Sequence, residues 1–131
     1  MMKFILGTLL IVSPLRADAA EWIKVSTAKN GLVVSFDLAS VRLFPGAVQA
    51  WMKFDSSKVA GIPFPEARAL WKINCLNDTQ TALSAVSYAA DGSVRATGNL
   101  PDIAASYEPI VPDSYGDTMR KKLCPYAMGQ K

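Results

Sequence analysis

The sequence of 131 residues contains two cysteines, three tryptophans and no histidine, and these counts limit the chemistry open to it. Without histidine the chain lacks the commonest general base and metal ligand, and with them the Ser–His, Cys–His and zinc-water mechanisms. Ser84 and Ser87 fall in the middle of a predicted strand with no nucleophile motif around them. Glu66 and Asp78 are the carboxylates to weigh as a glycosidase pair, but they stand near loops and read as solvated charges. No Gly-rich phosphate loop follows a strand. Asn77-Asp78-Thr79 is a glycosylation triplet only in a host that exports through an endoplasmic reticulum. The expectation is a protein that is not an enzyme and holds no cofactor or metal.

Cys75 and Cys124 are read as one disulfide, because an even pair in an exported chain normally closes. A redox dithiol would favour a C-x-x-C spacing at a reactive helix start. Closing a loop of about fifty residues contributes roughly 4 kcal/mol on the chain-entropy account. Three further features bear on binding. Trp22, Trp51 and Trp71 can form an aromatic platform, although strand tryptophans more often belong to a core. Lys53, Lys58 and Lys72 can line a mildly basic sheet face or an ordinary wet one. The loop Gly61-Ile62-Pro63-Phe64-Pro65 is pre-ordered by proline, and Ile62 and Phe64 are costly to leave in water unless something covers them. Lys58, Ile62 and Phe64 are therefore the candidate contact residues; the alternative is a loop folded over its own sheet edge.

These side chains must be positioned by short strands. Trp22 to Thr27 alternates apolar and polar residues, and Asn30-Gly31 is a hairpin signal. Leu32 to Asp37 returns, Val41 to Phe44 meets a Pro45-Gly46 turn, and Val48 to Phe54 follows. Residues 55–66 read as a loop. Ala67 to Leu76 points Ala69, Trp71, Ile73 and Cys75 one way and Arg68, Lys72 and Asn74 the other. Thr81 to Ala89 and Ser93 to Thr97 pair across Asp91-Gly92. Residues 99–112 carry Pro101, Pro109 and Pro112 and are expected to be an extended crossover. A helix capped by Asp113 or Ser114 then places Tyr115, Met119 and Leu123 on one side, with Asp117 and Lys121 as a supporting pair. It is expected to end at Cys124, before Pro125. The fold class is α+β: an antiparallel β-sheet meander with a C-terminal helix fastened by one disulfide.

Residues 1–19 are read as an export signal. Met1-Met2-Lys3 gives a positive start, Phe4 to Val12 is apolar, and Ala17-Asp18-Ala19 offers small residues to a signal peptidase. The apolar run is far short of the ~20 residues of a membrane span, and no cysteine follows the cut to carry lipid, so no stable membrane anchor is expected. Residues 20–131 make a single domain. The net charge of +3 falls by one when Lys3, Arg16 and Asp18 leave, too mild a balance for nucleic acid. The one basic run, Arg120-Lys121-Lys122, reads as a solvated helix end.

In its order of residues the chain resembles the surface-adhesin protein E family, a group of small exported bacterial domains. The resemblance rests on Trp22, on Asp37 followed by Ser40 and Arg42, and on Trp51 after a Pro-Gly turn. It continues through Trp71 and Cys75, Tyr88 with Asp91-Gly92, and Pro109-Ile110-Val111-Pro112-Asp113-Ser114 leading to Cys124. Tyr107 departs from it, where a tryptophan is expected, as does Asn74, where an acidic residue often precedes the cysteine. The resemblance implies a sheet with its helix locked on by Cys75–Cys124, binding to host extracellular-matrix or serum proteins, and a capacity to form homodimers. From the residues alone, a second role stays open: a periplasmic inhibitor or envelope-assembly factor that docks on another protein.

Overall fold

The computed structural model describes residues 19–129, so the expected export signal lies outside the described residues apart from Ala19. One antiparallel sheet carries a single helix. The strands are β1 (Trp22–Thr27), β2 (Val33–Asp37), β3 (Arg42–Phe44), β4 (Ala47–Asp55), β5 (Glu66–Asn74), β6 (Thr79–Tyr88), β7 (Val94–Asn99) and β8 (Glu108–Pro109). The helix, α1, is Tyr115–Ala127. Neighbours run β1-β2-β4-β5-β6-β7, with β3 beside β4 and β8 beside β6. The α+β fold expected from the sequence is the one observed, disulfide included.

Two edges of this sheet are made the same way. β2 and β3 both line one edge of β4, and a 3-10 turn at Leu38–Ser40 carries the chain from one to the other. β7 and β8 both line one edge of β6, bridged by a crossover with its own 3-10 turn at Asp102–Ala104. The first bridge is fixed by Asp37 and Ser40. One Asp37 carboxylate oxygen accepts the backbone N–H groups of Glu21 (2.8 Å) and Ala39 (3.0 Å). The Ser40 hydroxyl donates to the Asp37 carbonyl and accepts the Trp51 N–H at 2.9 Å. The second bridge departs from the extended crossover expected from its prolines. The Asp102 carboxylate accepts from the Tyr107 hydroxyl and the Lys72 ammonium, and this draws residues 102–104 into a turn.

Strand alternation sorts the side chains. Val34 and Phe36 of β2, Val48, Ala50 and Met52 of β4, and Ile73 of β5 are buried on one face, against Met119, Leu123 and Cys124 of α1. Phe54 and Trp71 each pack edge to face with Tyr115 beside them and are tilted against one another, with centroids 5.3 to 6.4 Å apart. The Trp71 indole N–H donates to the Gln80 side-chain oxygen at 3.1 Å. A Cβ at Gly116, where the helix starts, would press on that same oxygen, so a larger residue there would have to move the Gln80 side chain away from Trp71.

The helix begins as expected. The Ser114 hydroxyl accepts the Asp117 N–H, and the Asp117 carboxylate accepts the Asp113 N–H at 3.0 Å, a reciprocal cap. Arg120 and Lys121 add ion pairs to Asp117 at 2.7 and 3.1 Å. The Asp113 N–H above all, then these two cations, hold the Asp117 carboxyl down at about 2. Arg120-Lys121-Lys122 is thus mid-helix and partly paired, not a solvated end. The far terminus also differs from expectation: α1 runs through Pro125 to Ala127. Proline costs only the last turn its hydrogen bond, and the end is held otherwise. Cys75 and Cys124 are bonded with their Cα atoms 5.7 Å apart, the Gly46 N–H donates to the Ala127 carbonyl, and the Cys75 N–H donates to the Gly46 carbonyl.

Candidate functional site

The face of the sheet turned away from α1 carries the chemistry. Register partners share a face, so pairing places Lys24, Ser35, Lys53, Arg68, Val86 and Thr97 in one continuous row across β1, β2, β4, β5, β6 and β7. Its members follow one another at the strand spacing of about 4.8 Å. On one side of this row stand Trp22, Asp37, Trp51 and Leu70. On the other stand Asp55, Glu66 and Tyr88. Trp22, Asp37, Trp51, Arg68, Val86 and Tyr88 enclose a shallow groove of about 250 Å³.

Cations and rings alternate here. The Lys53 ammonium lies 4.5 Å from the centre of the Trp22 ring. The Arg68 guanidinium is 5.3 Å from Trp22 and 5.4 Å from Tyr88, between the two. Towards the Pro45-Gly46 turn, Phe44 takes Arg42 at 5.8 Å and Lys72 at 4.9 Å. Such contacts occur about once in 70–80 residues of an ordinary protein, so five on one face is a concentration. It arises because long cationic side chains lay their stems along rings while keeping their heads wet.

The charges are unevenly matched. Arg68 gives its Nε–H to Glu66 at 3.2 Å, which leaves its two terminal NH₂ groups without a hydrogen bond among the described residues. Lys72 is tied to Asp102, which holds that carboxyl below its ordinary value, and Tyr107 lowers it further. In turn burial, and then Asp102, push the Tyr107 hydroxyl up to about 12. Lys24, Arg42 and Lys53 form no ion pair among the described residues. The face is therefore rich in free donors and flat apolar rings, with Asp37 already engaged by backbone N–H groups.

The three tryptophans divide between the two faces. Trp71 belongs to the core, while Trp22 and Trp51 form the platform on the open side. Lys53 and Lys72 share that open side. Lys58 and Ile62 lie exposed in the β4–β5 loop, Ile62 at 42%. Phe64 is half-buried beneath the Arg95 guanidinium, 5.4 Å from its ring centre, in a shallow groove with Ala67, Ala85 and Ala96 on the helix side. The loop and the tryptophan groove are thus not brought together. Ser84 donates to Asn99. Glu66 opens β5 and Asp78 lies in the turn beyond its other end, where Glu66 meets Arg68 and Asp78 meets Arg120 at 3.8 Å. Among the described residues no group of His, Cys, Asp or Glu is placed to hold a metal, and no helix is long and apolar enough to cross a membrane. Sequence reasoning missed Lys24, Arg68 and Tyr88. The alternation of β5 puts Arg68 on the polar side, but only the register shows Lys24 and Lys53 in the same row.

No individual curated protein matches the chain in sequence. The family profile described as Surface-adhesin protein E matches residues 22–125, a span that begins at the platform's Trp22 and closes one residue after the stapled Cys124. This chain therefore belongs to the surface-adhesin protein E family.

Proposed function

We propose that this protein is an exported, non-enzymatic binding module that presents the open face of its sheet to a protein of the host extracellular matrix or serum. The observation that carries the reading is the alternation of Trp22, Trp51 and Tyr88 with Lys53 and Arg68 on a face not covered by the helix. A face that only has to be wet needs no such rings, whereas aromatic residues and arginine are the residue types that dominate protein interfaces. Family membership supports an adhesin-type role, with action at the cell surface or after secretion.

The test is capture of the purified protein on immobilised matrix and serum proteins. Trp51→Ala and Arg68→Ala should each weaken capture at least about tenfold, the effect of losing a central interface anchor. Full capture by both variants would end the reading. The loop residues Lys58, Ile62 and Phe64 are assigned as a second contact, where Ile62→Ala should give a smaller loss. β7, exposed along its whole length, is the edge on which a second copy would pair. The competing role as a periplasmic inhibitor or envelope-assembly factor predicts that protease added to intact cells leaves the protein uncut.

A further inference from the structure

We propose that the ligand chemistry read by the open face is that of a sulfated glycosaminoglycan, a linear polysaccharide bearing sulfate and carboxylate groups, laid across the strands along the Lys24–Lys53–Arg68 row. This rests on the reading above that the open face docks on a matrix protein, and it names the part of that partner which the face recognises, a sulfated glycan chain that the protein carries.

The arrangement of charge is the first argument. Lys53 and Arg68 are direct cross-strand partners, and like charges placed so are destabilising. Trp22 lies against both, and Glu66 takes the Arg68 Nε–H, which makes the pair tolerable while leaving the Lys53 ammonium and the terminal Arg68 NH₂ groups open. Lys24 extends the row two strands further, so three cations span about 14 Å across β1 to β5. A linear polyanion crossing the strands meets them in turn. The free terminal NH₂ groups of Arg68 form the planar fork that suits an oxyanion with two acceptor oxygens.

The second argument is the boundary. Asp55 and Glu66 stand side by side in the neighbouring row and repel a polyanion from that edge of the track. On the other side lie Trp22 and Trp51, flat surfaces for the C–H faces of sugar rings. The donors of the track are the Lys and Arg heads with the exposed Thr97 hydroxyl, so the ligand must supply the acceptors. An acidic peptide would also supply them. Peptides, however, commonly gain affinity by adding a strand to a sheet edge, and here the site lies mid-face, where the backbone groups are already paired. A peptide would be held by side chains alone while losing its own backbone freedom.

Calorimetric titration of the folded protein with a heparin-derived hexasaccharide tests the proposal. A paired Lys24→Gln, Lys53→Gln variant and an Arg68→Gln variant, both with unchanged circular dichroism, should each bind at least about tenfold more weakly, as expected for loss of charge-assisted hydrogen bonds. Trp51→Ala should also weaken binding. A Lys121→Gln, Lys122→Gln variant, altered only on the helix, should bind within about twofold of the parent. Equal losses in the helix variant would reduce the effect to general charge attraction and overturn the assignment. So would undetectable hexasaccharide binding, or a poly-glutamate peptide that binds as tightly. If hexasaccharide fails while Trp51→Ala and Arg68→Ala still abolish capture of matrix proteins, the glycan inference falls and the docking face stands. If those variants capture normally, the docking face itself is wrong and the inference falls with it.

Discussion

The two faces of β4 and β5 are made from the same strands under opposite constraints. On the helix side Val48, Ala50, Met52 and Ile73 meet Met119 and Leu123 with almost no exposure. Volume decides what fits there, because a close-packed interior registers the loss of a single methylene. On the other side Lys53, Arg68 and Trp51 alternate with them residue for residue. There each long side chain lies along a neighbour's ring, and charge and ring placement matter more than volume. Core residues hold the sheet together; the open face is free to be specialised for contact.

The contrast can be broken most severely at its covalent fastening. Cys75→Ser should remove roughly 4 kcal/mol out of a total of perhaps 5–15 kcal/mol, with a matching fall in melting temperature. The helix should exchange its amide hydrogens first, since a dozen residues of helix scarcely persist alone. An unchanged melting curve after substitution or reduction would remove the staple from the account. A matched pair of substitutions then sharpens the difference between the faces. Met52→Ala, at a fully buried position, should cost about 2–5 kcal/mol. Arg68→Gln, across the same sheet, should cost no more than about 1 kcal/mol. Chemical denaturation of the two proteins decides it, and comparable losses would mean that the open face is structural.

The smallest effect expected is in acid. Asp117 titrates at about 2 in the folded protein against an ordinary 3.8. The folded value is the lower one, so its stabilisation is complete above the unfolded value and is lost as the pH falls from about 4 toward 2. Asp102, lowered mainly by Lys72, acts in the same direction from the opposite face. Melting temperature followed through this range should decline less steeply in Asp117→Asn than in the parent.

Much of the architecture was legible because the helix-side face follows simple periods. Ile23, Val34, Phe36, Val48, Met52 and Ile73 recur at the strand period of two within their strands, and Met119 and Leu123 sit one helical turn apart. Proline misled twice. Pro125 stands inside the helix because tertiary bonds at Gly46 and Cys75 secure the last turn. The crossover after β7 turns because Asp102 finds Lys72, a partner thirty positions away. The open face was only half legible. Trp22, Trp51 and Lys53 stood out by type, but their gathering with Lys24 and Arg68 depends on the register of three pairings, including one interrupted by a bulge in β1. Local pattern does not encode that.

The bond between Cys75 and Cys124 also fixes the covalent topology of the molecule. It closes a ring that contains all of β6, β7 and β8 and most of the helix. The most exposed ribbon of the fold, with its Asp91-Gly92 tip, lies inside that ring. A protease that cuts the tip, the kind of site where nicking concentrates, opens the ring without releasing a fragment. Both halves stay linked through sulfur, with Trp22, Trp51 and Arg68 on one piece and Tyr88 on the same piece up to the cut. The molecule can thus be nicked once and still keep the open face of its sheet in a single covalent unit.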